Sequence, residues 1–233
     1  QTVWFIDSLV NGDLKELLAF AQGLIDRNIK VTWSGFARND GRMNREYIQT
    51  LIKSGCMHLL IGVESGSQRV LDLIQKKVKV SEIEQNFKDF ADLDWFYSGT
   101  SWFVGFPGEE PTDVAETMTL VWRLRNSGAS DKGFGVCNQN SDSPLMLERD
   151  RFKISHFNWG GNWFTTDWSN TIAHRIIRYK SVCILQNHYR MHGVRERFLG
   201  KKSNQPDFDD HCKITYDPSN WVNDIPYETD FNY

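Results

Sequence analysis

The stretch HLLIGVESGSQRVL, residues 58–71, joins an apolar segment to a polar turn and then to a second apolar segment. The apolar run predicts a strand from His58 to Val63. Ser67 opens a short helical pattern, whose apolar positions are Val70, Leu71 and Ile74. A strand followed directly by a helix is the repeating unit of α/β folds, so this stretch predicts that fold class.

The same strand-to-helix unit recurs on both sides of this stretch. Apolar runs predict strands over 3–6, 31–36, 58–63, 97–106 and 132–136. The first run, from Val3 to Ile6, has the continuous apolar character of a strand buried on both faces. Helical patterns lie between the strands and begin at Asp13, Asn44, Ser67, Ser81 and Asp113. A Glu three residues after Asp13, Ser81 and Asp113 predicts a capping box at each of these helix starts.

Crossovers of helical length predict a parallel sheet, which can close in two ways. An open doubly wound sheet binds ligands where its strand order reverses. A barrel binds them at the carboxyl ends of its strands. Five strands are too few for a barrel of eight, but they would fit a partial barrel whose first strand lies upstream of Gln1. The abrupt start inside a strand likewise suggests a fragment.

Composition excludes several classes of protein. The net charge of -3 and the isoelectric point near 6.1 argue against a strongly basic nucleic-acid module, so we expect no nucleic-acid partner. No apolar run approaches the roughly 18 to 20 residues that a membrane span needs, so no membrane partner is expected either. Four cysteines in 233 residues do not form a disulfide framework, which favours a reducing compartment and a cytoplasmic location.

The alternating strand and helix pattern of the sequence changes after about residue 140. We therefore predict a barrel domain over 1–145 and a mostly helical C-terminal subdomain with a tail over 146–233. A second helical region runs from Ser169 to about Arg190, and its expected apolar markers are Ile172, Ile176, Ile177 and Ile184. From Ser203 onward polar and aromatic residues dominate without helical or strand periodicity.

Polar residues follow the predicted strands, where parallel α/β folds bind their ligands. The candidate site residues are Asp7, Arg38, Glu64, Ser65, Gly105, Gly108 and Asn138. Acids, a base and amides brought to one rim suit a polar, zwitterionic ligand. Two simpler interpretations stay open: acids and serines after strands often only cap the next helix, and Arg38 can form an internal ion pair with Glu64.

Several segments together resemble the radical S-adenosylmethionine enzymes, in particular the branch with a cobalamin-binding domain ahead of the barrel. The resemblance covers roughly residues 3 to 145. It is carried by Phe5-Ile6-Asp7 with Asn11, Trp33 to Arg38, Ser54-Gly55-Cys56, Gly62 to Gln68, Lys76-Lys77, Val104 to Glu109, and Glu116-Thr117.

The resemblance implies a partial (β/α)6 barrel and a [4Fe–4S] cluster that reductively cleaves S-adenosylmethionine to methionine and a deoxyadenosyl radical. Cobalamin is a further implied cofactor. The family's cluster ligands form a CxxxCxxC loop after the first strand. The four cysteines here, Cys56, Cys137, Cys183 and Cys212, are too scattered to replace that loop. We therefore expect the ligands upstream of Gln1, no metal site within residues 1–233, and no activity from this chain alone.

The resemblance also suggests which group of S-adenosylmethionine each candidate residue binds. Glu64, helped by Ser65, accepts hydrogen bonds from the ribose or the amino group. Arg38 pairs with the carboxylate in the two-pronged way that Lys cannot match, and Asp7 binds the ammonium group. Gly105 and Gly108 allow close backbone approach. The backbone up to Asn138 borders the adenine.

The expected reaction is methyl transfer or rearrangement at an unreactive carbon. The substrate is a small molecule or a peptide, and the electron donor is a flavodoxin or a ferredoxin. The first alternative is a radical methylthiotransferase acting on tRNA. The others are a non-catalytic α/β domain that binds a nucleotide-like ligand, and an inactive truncated product.

Two weaker features allow functional interpretations. The tryptophans Trp159, Trp163 and Trp168 either line a substrate cavity or, more commonly for such residues, pack a core. His188 and His192, four residues apart, have the spacing of zinc ligands, with His211-Cys212 further along, although helix-surface histidines are common.

Overall fold

The centre of the fold is a parallel sheet of five strands, seen in a computed structural model that describes residues 1–93, 99–124, 131–138, 143–156 and 163–199. The strands are β1 (Thr2–Trp4), β2 (Thr32–Arg38), β3 (Cys56–Glu64), β4 (Gly99–Val104) and β5 (Asp131–Val136). Their order in the sheet follows the chain, β1-β2-β3-β4-β5. A doubly wound sheet would reverse that order at its switch point, so the sheet is a curled half-barrel, and the predicted partial barrel fold is confirmed.

Helices connect the strands. They are α1 (Leu14–Asp26), α2 (Arg45–Lys53), α3 (Gln68–Leu73), α4 (Val80–Asp92), α5 (Pro111–Arg123), α6 (Pro144–Leu147) and α7 (Ile172–Leu199). A two-stranded antiparallel hairpin, β6 (Ile154–His156) with β7 (Trp163–Thr165), precedes α7. Within the described ranges no helix is both long enough and apolar enough to span a membrane.

The two faces of the sheet differ in burial. On β3, Leu59, Ile61 and Val63 are fully buried in a core shared with the helices. The alternate residues, from His58 to Glu64, are only half-buried. Because successive strand residues point to opposite faces, the helices cover one face and leave the other partly open. Barrel-type α/β folds bind their ligands at the carboxyl ends of the strands.

The first strand differs from its prediction. We expected 3–6 to be buried on both faces, but β1 spans Thr2–Trp4, and Val3 and Trp4 are 41% and 48% exposed. Among the described strands β1 pairs only with β2, which makes it an edge strand. An apolar run does not reveal its position in a sheet, so the prediction of two buried faces is wrong. The Trp4 indole stacks on His58 of the open face.

The helix starts are correct at Asp13, Asn44 and Ser67, which are the N-cap residues of α1, α2 and α3. The Asp13 carboxylate accepts hydrogen bonds from the backbone of Lys15 and Glu16 at 2.7 and 3.2 Å. The Asn44 side chain accepts one from Tyr47 at 3.0 Å. These bonds satisfy backbone amides that the first helical turn leaves free, as predicted.

The helix starts at Ser81 and Asp113 are wrong. Helix α4 already begins at Val80, and the Glu82 carboxylate accepts the Lys79 backbone N–H at 2.8 Å. Helix α5 begins at Pro111, with Asp113 accepting the Glu110 backbone N–H at 2.6 Å. Proline is favoured in the first helical position because its missing N–H is not needed there, and this signal locates the start of α5.

Helix α7 buries a different face from the one expected. The predicted markers Ile172, Ile176, Ile177 and Ile184 are all exposed, by 39% to 68%. Among residues 172–185, the part of α7 whose side chains the structure describes, the buried positions are Arg175, Val182 and Leu185, and the last two join the core of the sheet. Apolar residues occur on more than one side of α7, so periodicity alone did not determine which side packs.

The proposed boundary between 145 and 146 falls inside α6, and α7 packs against β4, β5 and α5. The division into domains at that point stays a prediction.

Candidate functional site

Arg38 and Glu64 lie at the carboxyl ends of adjacent strands. Arg38 is in register with Gly62, two residues before Glu64. Asp7 follows β1, the other neighbour of β2, and is exposed. Topology therefore brings the three predicted charged residues to one edge of the sheet. Arg38 and Glu64 do not form an ion pair with each other, which was the alternative interpretation. Arg38 is paired with Asp40, and Glu64 with Lys76.

The backbone of Arg38 is fixed by a buried asparagine. The Asn11 side chain donates to the Arg38 carbonyl at 2.8 Å and accepts from the Arg38 N–H at 3.0 Å. It thus pairs with the end of β2 as a neighbouring strand would. Asn11 carries part of the family resemblance, but its role was not foreseen from the sequence.

The Arg38 guanidinium is held loosely. It lies 3.5 Å from Asp40, and its side chain is 45% exposed. Asp40 is paired more closely with Arg42, at 2.7 Å. The hydrogen bond from Arg42 is the chief reason that the pKa of Asp40 is lowered to about 2. Because Asp40 already has this stronger partner, the Arg38 guanidinium is available to an anionic ligand.

Glu64 forms an ion pair with Lys76, whose Nζ donates to Oε1 at 2.9 Å. Gly62 makes room for the pair, since a Cβ there would lie 2.5 Å from the same oxygen. The backbone is unusual at this point. Glu64, Gln75 and Lys77 have positive φ angles of 74°, 55° and 55°. Non-glycine residues pay for such conformations, which cluster at functional sites.

Ser65 belongs to a loop that is anchored to α5. Its hydroxyl is fully buried, lies 3.0 Å from the Thr117 hydroxyl and accepts the Ser67 N–H at 3.1 Å. Ser67 in turn donates to Asp113 at 2.7 Å and makes no cap bond of its own. These bonds hold the loop that follows Glu64. A direct contact between Ser65 and a ligand stays a prediction.

Gly105 is packed against the start of α7. Its φ is +86°, and a Cβ would lie 2.4 Å from Arg175 Cγ. The Asn170 side chain donates to the Gly105 carbonyl at 3.0 Å. Gly108 also has a positive φ, +83°, but only Leu73 comes near its Cβ position, at 3.8 Å. The close neighbour of Gly105 is therefore Arg175, and ligand approach at either glycine stays a prediction.

Glu109 is a buried acid beneath this turn. Its carboxylate accepts the Gly105 N–H at 2.6 Å and the Arg178 guanidinium at 3.2 Å. Burial is the main cause that raises its pKa to about 7, against the opposing effects of Arg178 and the Gly105 N–H. The sequence marked this acid only as part of a glycine-rich turn.

A cavity of about 500 Å³ opens at the ends of β4 and β5. Its apolar lining includes Leu73, Phe103, Phe106, Leu145 and Phe152. The predicted site residue Asn138 is exposed and contributes to its lining. The N–H of Cys137 donates to the Val104 carbonyl at 2.8 Å, which extends the β4–β5 pairing to the cavity.

The tryptophans divide between two environments. Trp163 is buried, with the Arg175 guanidinium 3.8 Å from its ring centroid, as the core-packing interpretation expects. Trp168 is 63% exposed and stacks on Phe164. Trp159 and His211-Cys212 lie outside the described residues, as do the side chains of His188 and His192. Within the described part of the chain no cluster of metal-ligating side chains occurs.

Comparison with known proteins gives a family match over residues 6–121, to the Radical SAM superfamily. An anaerobic magnesium-protoporphyrin IX monomethyl ester cyclase of Cereibacter sphaeroides is 26% identical over 111 residues, 46% of this chain and 18% of that protein. A threonylcarbamoyladenosine tRNA methylthiotransferase of Thermotoga maritima is 37% identical over 73 residues, 31% of this chain and 17% of that protein. The chain thus spans less than a fifth of either relative's length.

Two further similarities cover more of the chain. A tRNA-2-methylthio-N(6)-dimethylallyladenosine synthase of Saccharophagus degradans is 28% identical over 151 residues, 61% of this chain and 33% of that protein. A solved cobalamin-dependent S-adenosylmethionine radical enzyme superposes with a TM-score of 0.40 at 16% identity, covering 88% of this chain and 30% of that one.

Proposed function

The chain belongs to the Radical SAM superfamily through residues 6–121, and on that premise we propose that the carboxyl edge of its sheet binds S-adenosylmethionine. The observation that carries this proposal is the Glu64–Lys76 pair at the end of β3. A partly exposed carboxylate is held there at 2.9 Å by a lysine, on a backbone with three positive φ angles. Non-glycine residues with positive φ angles are often found at functional sites.

The residues at this edge fit the ligand's chemistry. S-adenosylmethionine has an ammonium, a carboxylate, a ribose diol and an adenine. Glu64 offers a carboxylate already oriented by Lys76, suited to the ribose hydroxyls or the ammonium group. The half-exposed guanidinium of Arg38 suits the carboxylate, because two parallel N–H donors match its two oxygens. Asp7, exposed beyond β1, is the second anionic group for the ammonium.

The full activity needs groups that these residues do not hold. S-adenosylmethionine together with a [4Fe–4S] cluster supplies the radical chemistry of the family. None of the four cysteines forms the family's CxxxCxxC motif. We propose that the cluster ligands lie elsewhere in the protein, and that this chain contributes the binding edge and the helices behind it. Cobalamin is a further proposed cofactor.

The proposed reaction is methyl transfer or rearrangement at an unreactive carbon of a small-molecule or peptide substrate. A cytoplasmic flavodoxin or ferredoxin would supply the electron. Methylthiolation of tRNA is the second candidate, because the matched relatives include a tRNA methylthiotransferase and tRNA-2-methylthio-N(6)-dimethylallyladenosine synthases. That candidate requires an RNA-binding surface, which the net charge of -3 does not favour.

The test uses the protein made anaerobically from its complete reading frame, with its cluster reconstituted and reduced by dithionite. Formation of 5′-deoxyadenosine from S-adenosylmethionine is expected, and it should fall sharply in Glu64→Gln. A preparation with a full cluster that forms none would refute the proposal. Incubation with unmodified tRNA decides the second candidate, which predicts methylthio-adenosine in the digested RNA.

A further inference from the structure

The start of helix α7 contacts two loops that follow strands of the sheet. One loop, residues 105–109, follows β4 and contains the two glycines at which the resemblance implies close approach to the ligand. The other follows β5 and contains Cys137 and Asn138, whose backbone the resemblance places beside the adenine. Phe106 and Asn138 bring both loops into the lining of the cavity at this edge. The family match ends at residue 121, so α7 lies outside the matched region.

Asn170, just before α7, makes the first of these contacts. Its side chain is buried, and its amide nitrogen donates to the carbonyls of Gly105 and Phe106 at 3.0 and 3.1 Å. Its amide oxygen accepts the Arg175 guanidinium at 3.2 Å. The Asn170 backbone is itself bonded twice to Thr165 of β7, at 2.9 Å in each case. A firmly held side chain thus fixes two successive peptide groups of the loop after β4.

Arg178 makes the second contact, through Glu109. The same Glu109 oxygen accepts the Gly105 N–H at 2.6 Å and the Arg178 guanidinium at 3.2 Å. The two side chains of this ion pair are 1% and 15% exposed. Removing one partner of a buried pair leaves the other charge buried and uncompensated. Both polar groups of the Gly105 backbone are therefore held from the side of α7, the carbonyl directly and the N–H through Glu109.

Arg175 connects the two loops. Its side chain is fully buried beside Gly105, it donates to the Trp163 carbonyl at 2.7 Å, and its guanidinium lies 3.8 Å from the Trp163 ring centroid. The Trp163 indole in turn donates to the Cys137 carbonyl at 3.3 Å. Within the described part of the chain no carboxylate pairs with Arg175, and its Nε has no hydrogen-bond partner. A cation buried in this way costs stability, which favours a role in geometry.

We propose that Asn170, Arg175 and Arg178 are positioning residues for the cofactor. They do not touch it, but they hold the backbone of 105–109 and 137–138 in the conformation that borders the adenine. This inference rests on the proposed function, since it takes S-adenosylmethionine to bind at this edge. The competing account is that the same contacts only dock α7 on the sheet and stabilise the fold. The two accounts differ in whether losing a contact weakens binding by a folded protein, and in which half of the ligand is affected.

The experiment measures binding to the cluster-loaded protein made from its complete reading frame. Equilibrium dialysis gives the affinity for S-adenosylmethionine. Two competitors divide the ligand into halves: 5′-methylthioadenosine carries the adenine and the ribose, and methionine carries the amino-acid part. The variants are Asn170→Ala and Arg178→Met, and the conservative variant Arg178→Lys keeps a cation beside Glu109.

Leu185→Ala is the control for a general loosening of α7. Leu185 lies seven residues beyond Arg178, about 10 Å along the helix. It is buried in the core of the sheet, whereas Phe106, Cys137 and Trp163 belong to a separate apolar cluster. Its truncation weakens the packing of α7 through the cavity it leaves, and it removes none of the hydrogen bonds to the two loops.

We expect Asn170→Ala and Arg178→Met to weaken binding of S-adenosylmethionine and of 5′-methylthioadenosine at least fivefold, while methionine affinity stays within twofold. Arg178→Lys should recover most of the loss, because Glu109 regains a cationic partner. Leu185→Ala, measured at a temperature where it is folded, should bind all three ligands within twofold of the unmodified protein. If Asn170→Ala does not fold, the comparison of Arg178→Met with Arg178→Lys decides.

Three results would overturn the inference. Folded Asn170→Ala and Arg178→Met proteins that bind S-adenosylmethionine within twofold of the unmodified protein would show that the contacts only dock α7. An equal loss of both ligand halves, or the same loss in Leu185→Ala, would show a general loosening of the fold. Failure of the unmodified protein to bind S-adenosylmethionine at all would instead remove the proposed function on which the inference rests.

Discussion

Lys76 reaches back across twelve residues to hold the Glu64 carboxylate at 2.9 Å, over a glycine that leaves space for both side chains. Both partners are partly buried, with 19% and 24% of their side chains exposed. Pairs of this kind cost desolvation that their attraction only partly offsets. The pair therefore adds little to stability, and its value is that it orients a carboxylate toward the rim where Arg38 and Asp7 also lie.

Adding one methyl group at Gly62 should disturb this pair. In Gly62→Ala the new Cβ would lie 2.5 Å from Glu64 Oε1 and 3.3 Å from Lys76 Nζ, so the ion pair must shift. We expect S-adenosylmethionine affinity to fall at least fivefold, measured by equilibrium dialysis. Gly133→Ala is the control, because its nearest neighbour would lie 3.8 Å away. Equal affinities in the two variants would argue against a role for the pair in binding.

Alanine substitutions at Gly105 and Gly108 distinguish the effect of the contact with Arg175 from the effect of backbone strain. Both have φ near +85°, a conformation that costs a side-chain-bearing residue about 1–2 kcal/mol. Only at Gly105 would a Cβ also collide with Arg175, at 2.4 Å. Gly105→Ala should therefore lower the free energy of unfolding in urea clearly more than Gly108→Ala. An equal loss of unfolding free energy in the two variants would mean that the contact between Gly105 and α7 does not contribute.

Glu109 makes stability depend on pH. Its pKa in the folded protein is raised to about 7 from an ordinary value of 4.5, chiefly by burial. Between these values the folded state binds the proton more tightly than the unfolded state, so stability falls as pH rises through the window. Linkage sets an upper limit of about 1.4 kcal/mol on the unfolding free energy lost for each pH unit between the two pKa values.

Urea unfolding at pH 5, 6, 7 and 8 measures this slope. Glu109→Gln should flatten it, because the amide cannot ionise and still accepts the Gly105 N–H. An unchanged slope in that variant would assign the pH dependence to other groups.

The Asn11 side chain is expected to support both the fold and the site. Asn11→Ala removes the two hydrogen bonds to the Arg38 backbone and a third, to the Met43 sulfur at 3.1 Å. It leaves the N–H and C=O of Arg38 without these partners, which should cost about 1–3 kcal/mol of unfolding free energy. It should also weaken S-adenosylmethionine binding, because Arg38 loses its support. Asn44→Ala is the control: it removes a helix cap worth about 1 kcal/mol. Binding should survive in that variant. A loss of affinity in both variants would show a general effect of destabilisation.

The strand order and the strand-end positions were accessible from the sequence. Apolar runs alternating with capped helices fix a parallel sheet, and parallel strands bring Asp7, Arg38 and Glu64 to one edge wherever their side chains point. The ion-pair partners of these residues could not be predicted from the sequence in this way. Lys76 lies twelve residues from Glu64, beyond a helix and a turn whose positive φ angles occur at Gln75 and Lys77, where no glycine marks them.

The C-terminal half was harder to predict for a related reason. Arg175 is fully buried, and a charged residue at that position gives no sign of burial in a helical pattern. Its burial depends on Asn170 and on the backbone and ring of Trp163, contacts that form only in the folded chain. The isoleucines that mark this helix in the sequence are exposed.

The central claim is that Glu64 and Arg38 bind S-adenosylmethionine, and the affinity of the cluster-loaded protein made from its complete reading frame tests it most directly. The variants are Glu64→Gln and Arg38→Leu. The control is Glu84→Gln, because Glu84 is also paired with a basic residue, Arg123 at 3.1 Å, but lies on α4 away from the rim. We predict that both site variants lose at least tenfold in affinity while the control stays within twofold. Folded site variants that bind within about threefold of the unmodified protein, a difference under roughly 0.7 kcal/mol, would contradict the account.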